Sequence, residues 1–435
     1  MFGWLTMLSQ RERTTMLGCF GGWSLDALDV QIFSFVIPTL LAQWGLTRGE
    51  AGVLGTVTLL LSAFGGWIAG AMCDRYGRVR VLQVTVVWYA VFTFLSGFAP
   101  NFSTLFFTRA MQGLGFGGEW AAGAVLLGEV IQDRYRGRAV GFVQSGWAVG
   151  WAAAALLYML FFAVFPPEIA WRALFWVGLA PALLVVWIRR HVHDPDVFTA
   201  RARSMPRPGL LHLFTVLRPP YLATTLKVSL LVTGAQGGSY ALSVWLPTYL
   251  KTARGISTIN TGSYLLLHIL GAFAGFITGA YLSDRIGRKP TFLVSAIGAP
   301  FLVLIYMFAP IGNTAMLFLG IPLGFFIYLM LAPMGPFMTE LFPTAVRGAG
   351  QGFCYNAGRA TGAVFPGLVG FLSERMELGP AMAVFCFAAY GLSLLALLLL
   401  PETRGRSISD EADAAIADSP DGEAAGHPAP ILTRA

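Results

Sequence analysis

The chain has 435 residues, of which 56% are hydrophobic and 12% charged, and its mean hydropathy is +0.66. Soluble domains carry about 25% charged residues, so a soluble fold is excluded, and 34 Phe, 12 Trp and 13 Tyr that need burial exclude global disorder. The net charge of +7 leaves nucleic acid open until its distribution along the chain is considered.

A spanning helix takes about 20 apolar residues. Apolar stretches bounded by charges, Pro or Gly predict spans at 17–41, 51–72, 81–99, 103–131, 139–165, 172–190, 221–247, 260–283, 290–309, 313–338, 351–372 and 381–400. The start carries Arg11, Glu12 and Arg13 and lacks the small-residue cleavage site of a signal peptide. Residues 1–190 then form an N-terminal six-helix half and 221–400 a C-terminal one. Between them 191–220, rich in Pro and Arg, is expected to be a cytoplasmic linker, and 401–435 a disordered cytoplasmic tail. With the N-terminus inside, 22 of the 29 Lys/Arg fall on inner segments and five on outer ones. Arg109 and Arg359 lie within spans. Both termini are therefore expected in the cytoplasm. The basic excess is topological and calls for no nucleic-acid partner. Cys19, Cys73, Cys354 and Cys386 have no paired spacing, which argues against a disulfide framework or a metal site. No phosphate-binding loop and no nucleophile–base arrangement is visible.

The halves repeat. Gly70 precedes Asp74-Arg75-Tyr76-Gly77-Arg78, and Asp284-Arg285-Ile286-Gly287-Arg288 recurs at an offset of 210. Glu129 and Arg136-Gly137 recur as Glu340 and Arg347-Gly348 at an offset of 211, as does Gly141-Phe142 in Gly352-Phe353.

Charges inside spans are costly, roughly 2.5–3.5 kcal/mol each on insertion scales. The first span holds Asp26 and Asp29, the fourth Arg109, Gln112 and Glu119, the eighth His268, and the eleventh Tyr355, Asn356 and Arg359. At 1.5 Å per residue, Asp29 and Arg109 lie about 18 and 21 Å from the cytoplasmic face, and Arg359 comes out near the depth of Asp26. A carboxylate facing an arginine is ionised while the pair holds, and opening the pair favours the neutral acid, which takes a proton. Asp29 and Arg109 are thus a candidate coupling pair, or a permanent ion pair that fixes helix packing. Arg359 suits bidentate carboxylate binding, or pairing with Glu119 or a helix carbonyl. Glu119 is a second candidate proton site. Gln144 and Trp147 share a face with Trp151 in the fifth span, and Gln236 and Tyr240 are i, i+4 in the seventh. Each set fits either a cavity lining or helix packing. His268 reads as a core histidine.

The repeated loops, together with Arg109-Ala110-Met111-Gln112-Gly113-Leu114-Gly115, resemble the major facilitator superfamily over about residues 15–400. The pattern would carry a basic residue at Val79; here the neighbouring Arg80 is basic. The resemblance implies an all-α membrane protein of 12 transmembrane helices in two parallel six-helix halves around a central cavity. It also implies that Gly70, Asp74, Arg75, Gly77, Arg78, Glu129 and Arg136 form a cytoplasmic gate. Their second-half counterparts are Asp284, Arg285, Gly287, Arg288, Glu340 and Arg347. In such a gate Asp74 caps a helix of the other half and Arg78 pairs with an acid such as Glu129. Asp26-Ala-Leu-Asp29, Gly117-Gly118-Glu119-Trp120 and Asn356-Ala-Gly358-Arg359 resemble segments of organic-acid:proton symporters of the sialate/lactate and aromatic-acid types. Drug exporters of the superfamily carry a Gly-Pro motif in the fifth span, which is missing here and favours uptake.

The expectation is a non-enzymatic transporter of a bacterial inner membrane that takes up a small organic acid, a monocarboxylate or aromatic carboxylate, with a proton. It acts as a monomer with no cofactor beyond that coupling ion. Tyr355, Asn356, Arg359, Gln112, Gln144, Trp147, Gln236 and Tyr240 are the candidate substrate ligands. Asp26, Asp29, Arg109 and Glu119 are the candidate coupling groups. A symporter of dicarboxylates, tricarboxylates or zwitterions is the alternative, and a non-transporting membrane sensor a more distant one.

Overall fold

The computed structural model describes residues 3–183, 210–343 and 346–405, and among these no strand occurs. The first part holds α1 (Gln10–Trp44), α2 (Arg48–Tyr76), α3 (Arg78–Ser96), α4 (Phe102–Val130), α5 (Asp133–Val164) and α6 (Pro167–Val177). The second holds α7 (Leu222–Ser243), α8 (Thr258–Ile286), α9 (Arg288–Phe308), α10 (Asn313–Leu329) and α11 (Met334–Leu341), followed by α12 (Arg347–Gly362), α13 (Val364–Leu372) and α14 (Leu378–Leu399).

Local chemistry sets the helix ends. Ser9 with Glu12 and Thr47 with Glu50 form capping boxes that satisfy the first N–H groups of α1 and α2. Glu12 also accepts the Gln132 N–H at 3.0 Å and so ties α1 to the start of α5. Proline breaks several helices at the expected step, because its ring clashes with the carbonyl four residues back and it has no N–H to donate. The predicted span 351–372 is divided at Ala363, just ahead of Pro366. Span 313–338 is divided near Pro333, and the span begun by α6 turns at Gly178 before Pro181. Eight helices among the described residues are long and apolar enough to cross a membrane. The break at Ala363 removes the eleventh predicted span from that set. The polar groups of α4 (Arg109, Gln112, Glu119) and α7 (Lys227, Gln236, Ser239) lower the apolarity of those two helices.

The repeat seen in the sequence recurs in packing. α2 lies against α4 in one half and α8 against α10 in the other. A side chain at Gly117 would overlap the Ser62 carbonyl, and one at Gly271 the Ile321 carbonyl. Both repeated loops turn through a glycine with positive φ, 97° at Gly77 and 111° at Gly287, a region open to glycine but not to most residues. The two halves meet along α5–α8 and along α2 with α12 and α13. Large apolar side chains such as Val84, Leu160, Ile297 and Leu398 face outward, as lipid contact requires.

Two segments outside the predicted spans carry structure of their own. The end of the predicted linker forms a 3-10 helix, Leu210–Leu217, docked on the bundle. Its Val216 carbonyl accepts the Thr225 hydroxyl at 2.8 Å, and Phe214 meets Phe353 edge-on. The predicted tail begins with a stretch, 401–405, in which Glu402 and Thr403 hydrogen-bond to Arg288, Lys289 and Glu340. Its later residues lie outside the described set.

Candidate functional site

A cavity lies between the two halves. α1 contributes Trp23, α5 Gln144 and Trp147, and α7 Gln236, Ser239, Tyr240 and Ser243. Phe276 of α8, Tyr328 of α10, Leu331 ahead of α11, Met334 at its start, and Tyr355 and Arg359 of α12 complete it. On α7 the spacing i, i+3, i+4, i+7 places all four residues on one face.

Among the described residues, Arg359 is the charged residue of the lining. Its side chain is 1% exposed. The guanidinium sits between two rings, with Cζ 5.0 Å from the centroids of both Phe116 and Tyr355. Nη2 donates to the Tyr355 hydroxyl at 3.4 Å, and Tyr240 is close enough to interact with it. Nε and Nη1 have no hydrogen-bond partner in the protein. Buried donors of a charged group are costly to leave unmade, and a carboxylate entering the cavity can accept at one edge of the guanidinium, Nε with Nη2 or Nη1 with Nη2. Asp26 is fully buried and interacts electrostatically with Arg359 from the other half. Part of the remaining wall is aromatic: Trp23 and Trp147 approach to 5.1 Å between centroids, and Phe276 and Tyr328 to 5.2 Å.

Six of the eight substrate candidates, Tyr355, Arg359, Gln144, Trp147, Gln236 and Tyr240, line this cavity. Two do not. Gln112 turns its Oε1 to accept Arg109 Nη1 at 2.9 Å. Asn356 donates to the Gly352 carbonyl at 2.9 Å and packs against Gly66 of α2. Each side chain takes one partner on its own helix, although Gln112 Nε2 has none, and neither is on the lining. Trp23, Ser239, Ser243, Phe276 and Tyr328 were not singled out from the sequence.

A second polar cluster lies inside the first half, away from the cavity lining. Asp29 is buried on α1, and its Oδ2 accepts the Thr93 hydroxyl of α3 at 3.0 Å. Arg109 of α4 is buried with its Cζ 4.3 Å from the Phe33 ring centroid. Asp29 and Arg109 interact electrostatically, yet no N···O distance between them falls within the 4.0 Å of an ion pair. The expected direct contact is replaced by one hydroxyl and one amide, which occupy the two groups separately. His268 is buried against Trp151 and Tyr328, with ring centroids at 5.4 and 6.4 Å. Trp151 packs there rather than in the cavity.

Of the predicted gate, the second-half copy is described. Arg288 spans Asp284 and Glu340, with N···O distances of 2.8 Å to each. The Thr403 hydroxyl donates to Glu340 as well. Glu402 accepts the backbone N–H groups of Arg288 at 3.0 Å and Lys289 at 2.9 Å, capping the start of α9. Burial alone would raise the Glu402 carboxyl, but the donors of Arg404, Arg288, Lys289 and Thr403 outweigh it and hold it below the usual 4.5. Arg347 donates to the Thr339 carbonyl at 3.0 Å near the end of α11, and Arg285 is exposed. Gly70 has open space where a side chain would sit. The side chains of Asp74, Arg75, Arg78, Glu119, Glu129 and Arg136 lie outside the described set.

The profile of the Major Facilitator Superfamily matches residues 19–366 and again 268–428. The chain belongs to that superfamily. A probable 4-methylmuconolactone transporter of Cupriavidus pinatubonensis is 45% identical over 95% of this chain and 96% of its own length. A cis,cis-muconate transport protein of Acinetobacter baylyi is 29% identical over 91% of this chain and 95% of its own. Among solved structures, an inward-facing bacterial homologue of the lysosomal transporter Spinster covers 90% of this chain and 95% of its own, with a TM-score of 0.63 and 17% identity, which shows the fold alone. The protein is a multi-pass membrane transporter rather than an enzyme.

Proposed function

We propose that this transporter takes up a small organic acid, a monocarboxylate or aromatic carboxylate, together with a proton. The observation that carries the reading is Arg359. It is a buried guanidinium with two unpartnered donors, set in an aromatic cavity between the halves. The names of relatives at 45% and 29% identity are those of organic-acid transporters, the muconolactone name on the monocarboxylate side and the muconate name on the side of the dicarboxylate alternative. In this reading twelve spans form two six-helix halves, 1–190 and 221–400, with both termini in the cytoplasm of a bacterial inner membrane. The monomer works by alternating access.

Coupling is assigned to the first half, to Asp26, Asp29, Arg109 and Glu119. Asp29 accepts from Thr93 and faces Arg109 without touching it. A small shift of α1 against α4 would change how far Arg109 stabilises the carboxylate, and the proton gradient then biases which state is populated. Asp26 links the two functions, since it interacts electrostatically with Arg359 of the other half. When a substrate carboxylate neutralises Arg359, Asp26 loses part of its counter-charge and takes a proton more readily. The cytoplasmic gate is assigned to Gly70, Asp74, Arg75, Gly77, Arg78, Glu129 and Arg136 with their second-half counterparts. The Arg288–Glu340 pair supports that assignment.

The test is substrate-induced alkalinisation outside vesicles that hold the purified protein. The panel is lactate, pyruvate, benzoates, phenylpropionates, sialate, citrate and a sugar. A pH rise with one class of carboxylate is expected. No change with any acid, from protein that still exchanges a labelled acid, would overturn proton symport.

A further inference from the structure

Arg359 ends a long, rotatable side chain, and a guanidinium grips a carboxylate along its edges. What fixes its plane therefore decides how well it holds a ligand. Two rings lie over it, one from each half. Tyr355 stands on the same helix, α12, and its hydroxyl also accepts from Nη2. Phe116 comes from α4 of the first half, with Arg359 Cζ 5.0 Å from its centroid. Phe116 is absent from the cavity lining, so it meets the guanidinium and not the ligand.

The Phe116 ring is itself held in place. Its side chain is buried. Trp23 of α1 stacks beside it at 6.4 Å between centroids and 16° between planes, and Trp147 of α5 lies 6.2 Å away at 44°. The backbone on both sides of it is seated on neighbouring helices through glycines. A side chain at Gly113 would overlap the Thr58 carbonyl of α2, and one at Gly117 the Ser62 carbonyl of the same helix. One at Gly115 would meet the backbone nitrogen of Tyr89 on α3 at 2.8 Å. The α4 backbone cannot shift there without breaking these contacts, so the ring is presented to the second half as a fixed surface. A leucine would fill much of the same space. Only an aromatic face adds a negative potential that attracts a cation, the more so when both are out of water.

From the fixed ring and the guanidinium lying over it we infer that Phe116 is a positioning residue for substrate binding. It acts through Arg359. Its face holds the guanidinium plane and leaves the edge donors Nε and Nη1 to the ligand. Without that face the guanidinium is free to turn, and the ligand must order it on binding, which costs affinity. The ring touches no substrate atom, so its effect falls on affinity and not on the maximal rate. The inference rests on the assignment of Arg359 to the substrate carboxylate.

The experiment replaces Phe116 with mono-, di- and trifluorophenylalanine, which keep its shape while draining the negative potential of its face. Counterflow in proteoliposomes reads the apparent affinity for a labelled carboxylate of the panel above that the wild type exchanges. Affinity should fall with each added fluorine, to about tenfold below wild type in the trifluoro variant, while the exchange rate at saturation stays close to that of wild type. Phe116→Leu should lose at least as much affinity. If that variant does not fold, the fluorinated series, which is close to isosteric, still gives the readout. Affinity that does not follow the number of fluorines, or a loss confined to the rate at saturation, would overturn the inference. Arg359→Gln, measured alongside, separates it from the assignment beneath it. A loss of affinity in Arg359→Gln beside a flat fluorine series removes the role of Phe116 alone. Wild-type affinity in Arg359→Gln removes the assignment of Arg359 itself.

Discussion

Arg109 and Arg359 are buried to the same degree, each 1% exposed, one in each half. Their surroundings differ. Arg109 donates to Gln112, lies over Phe33 and feels Asp29, all inside the first half. Arg359 keeps two donors free and faces the cavity between the halves. Equal burial therefore carries opposite meanings. Arg109 has Gln112, Phe33 and Asp29 about it in its own half, with Nε as its one buried unpartnered donor against two on Arg359, and is suited to a coupling role. Arg359 is left incomplete by the protein and suited to a ligand. What distinguishes a binding arginine from an internal one is the accounting of its N–H groups, not its depth.

Substitutions can break or sharpen that contrast. The largest effect is expected from Asp29→Asn, which removes the acid facing Arg109 and leaves Arg359 untouched. With one pH unit across the membrane, worth about 1.4 kcal/mol per proton, the wild type should accumulate its substrate about tenfold per coupled proton. Asp29→Asn should only equilibrate it, while counterflow exchange persists. Normal accumulation by this variant would take Asp29 out of coupling.

Next comes Arg359→Lys, which keeps the charge but loses the planar fork. Apparent affinity for monocarboxylates should fall by about tenfold, measured by concentration-dependent counterflow. An unchanged affinity would return Arg359 to a packing role.

Smaller effects are expected at the gate. Glu340→Gln weakens a pair whose side chains are 12% and 11% exposed. Transport rate should change by no more than a few-fold, as expected for a partly screened ion pair, with substrate affinity unmoved. A shift in affinity equal to that of Arg359→Lys would place Glu340 in the binding site.

The smallest concerns Glu402. Its carboxyl is held below 4.5 in the folded protein. Its contribution is therefore complete above the unfolded value and is lost as pH falls through the folded one. Glu402→Ala should lower thermal stability slightly at pH 7, and the difference from wild type should vanish in acid below that range. A difference that grows on acidification would contradict the capping account.

Much of this was legible in the sequence, for physical reasons. A repeated Asp-Arg-x-Gly-Arg needs its glycine because the loop turns through positive φ, and both copies do so. Polar residues in apolar spans pointed to Arg359, Gln144, Gln236, Tyr240 and Tyr355, because burying such groups without purpose is costly. The same logic over-reached at Gln112 and Asn356, whose amides find a partner within one helical turn. Ser239 and Ser243 share the α7 face of Gln236 and Tyr240, a signal in the spacing that could have found them. Phe276 and Tyr328 come from α8 and α10, and nothing local separates a cavity aromatic from a packed one. The Asp29–Arg109 depth match placed the two groups in the same layer, but depth fixes height along a helix and not the last few ångströms between side chains.

The central claim is that Arg359, and not Arg109, holds the substrate carboxylate. The most direct measurement compares Arg359→Gln with Arg109→Gln in counterflow without any gradient, reading apparent affinity for one monocarboxylate. Two charge-assisted hydrogen bonds are lost in the first variant, so its affinity should fall by about a hundredfold, while Arg109→Gln stays close to wild type. Equal affinity in Arg359→Gln and wild type, or the larger loss in Arg109→Gln, would contradict the account.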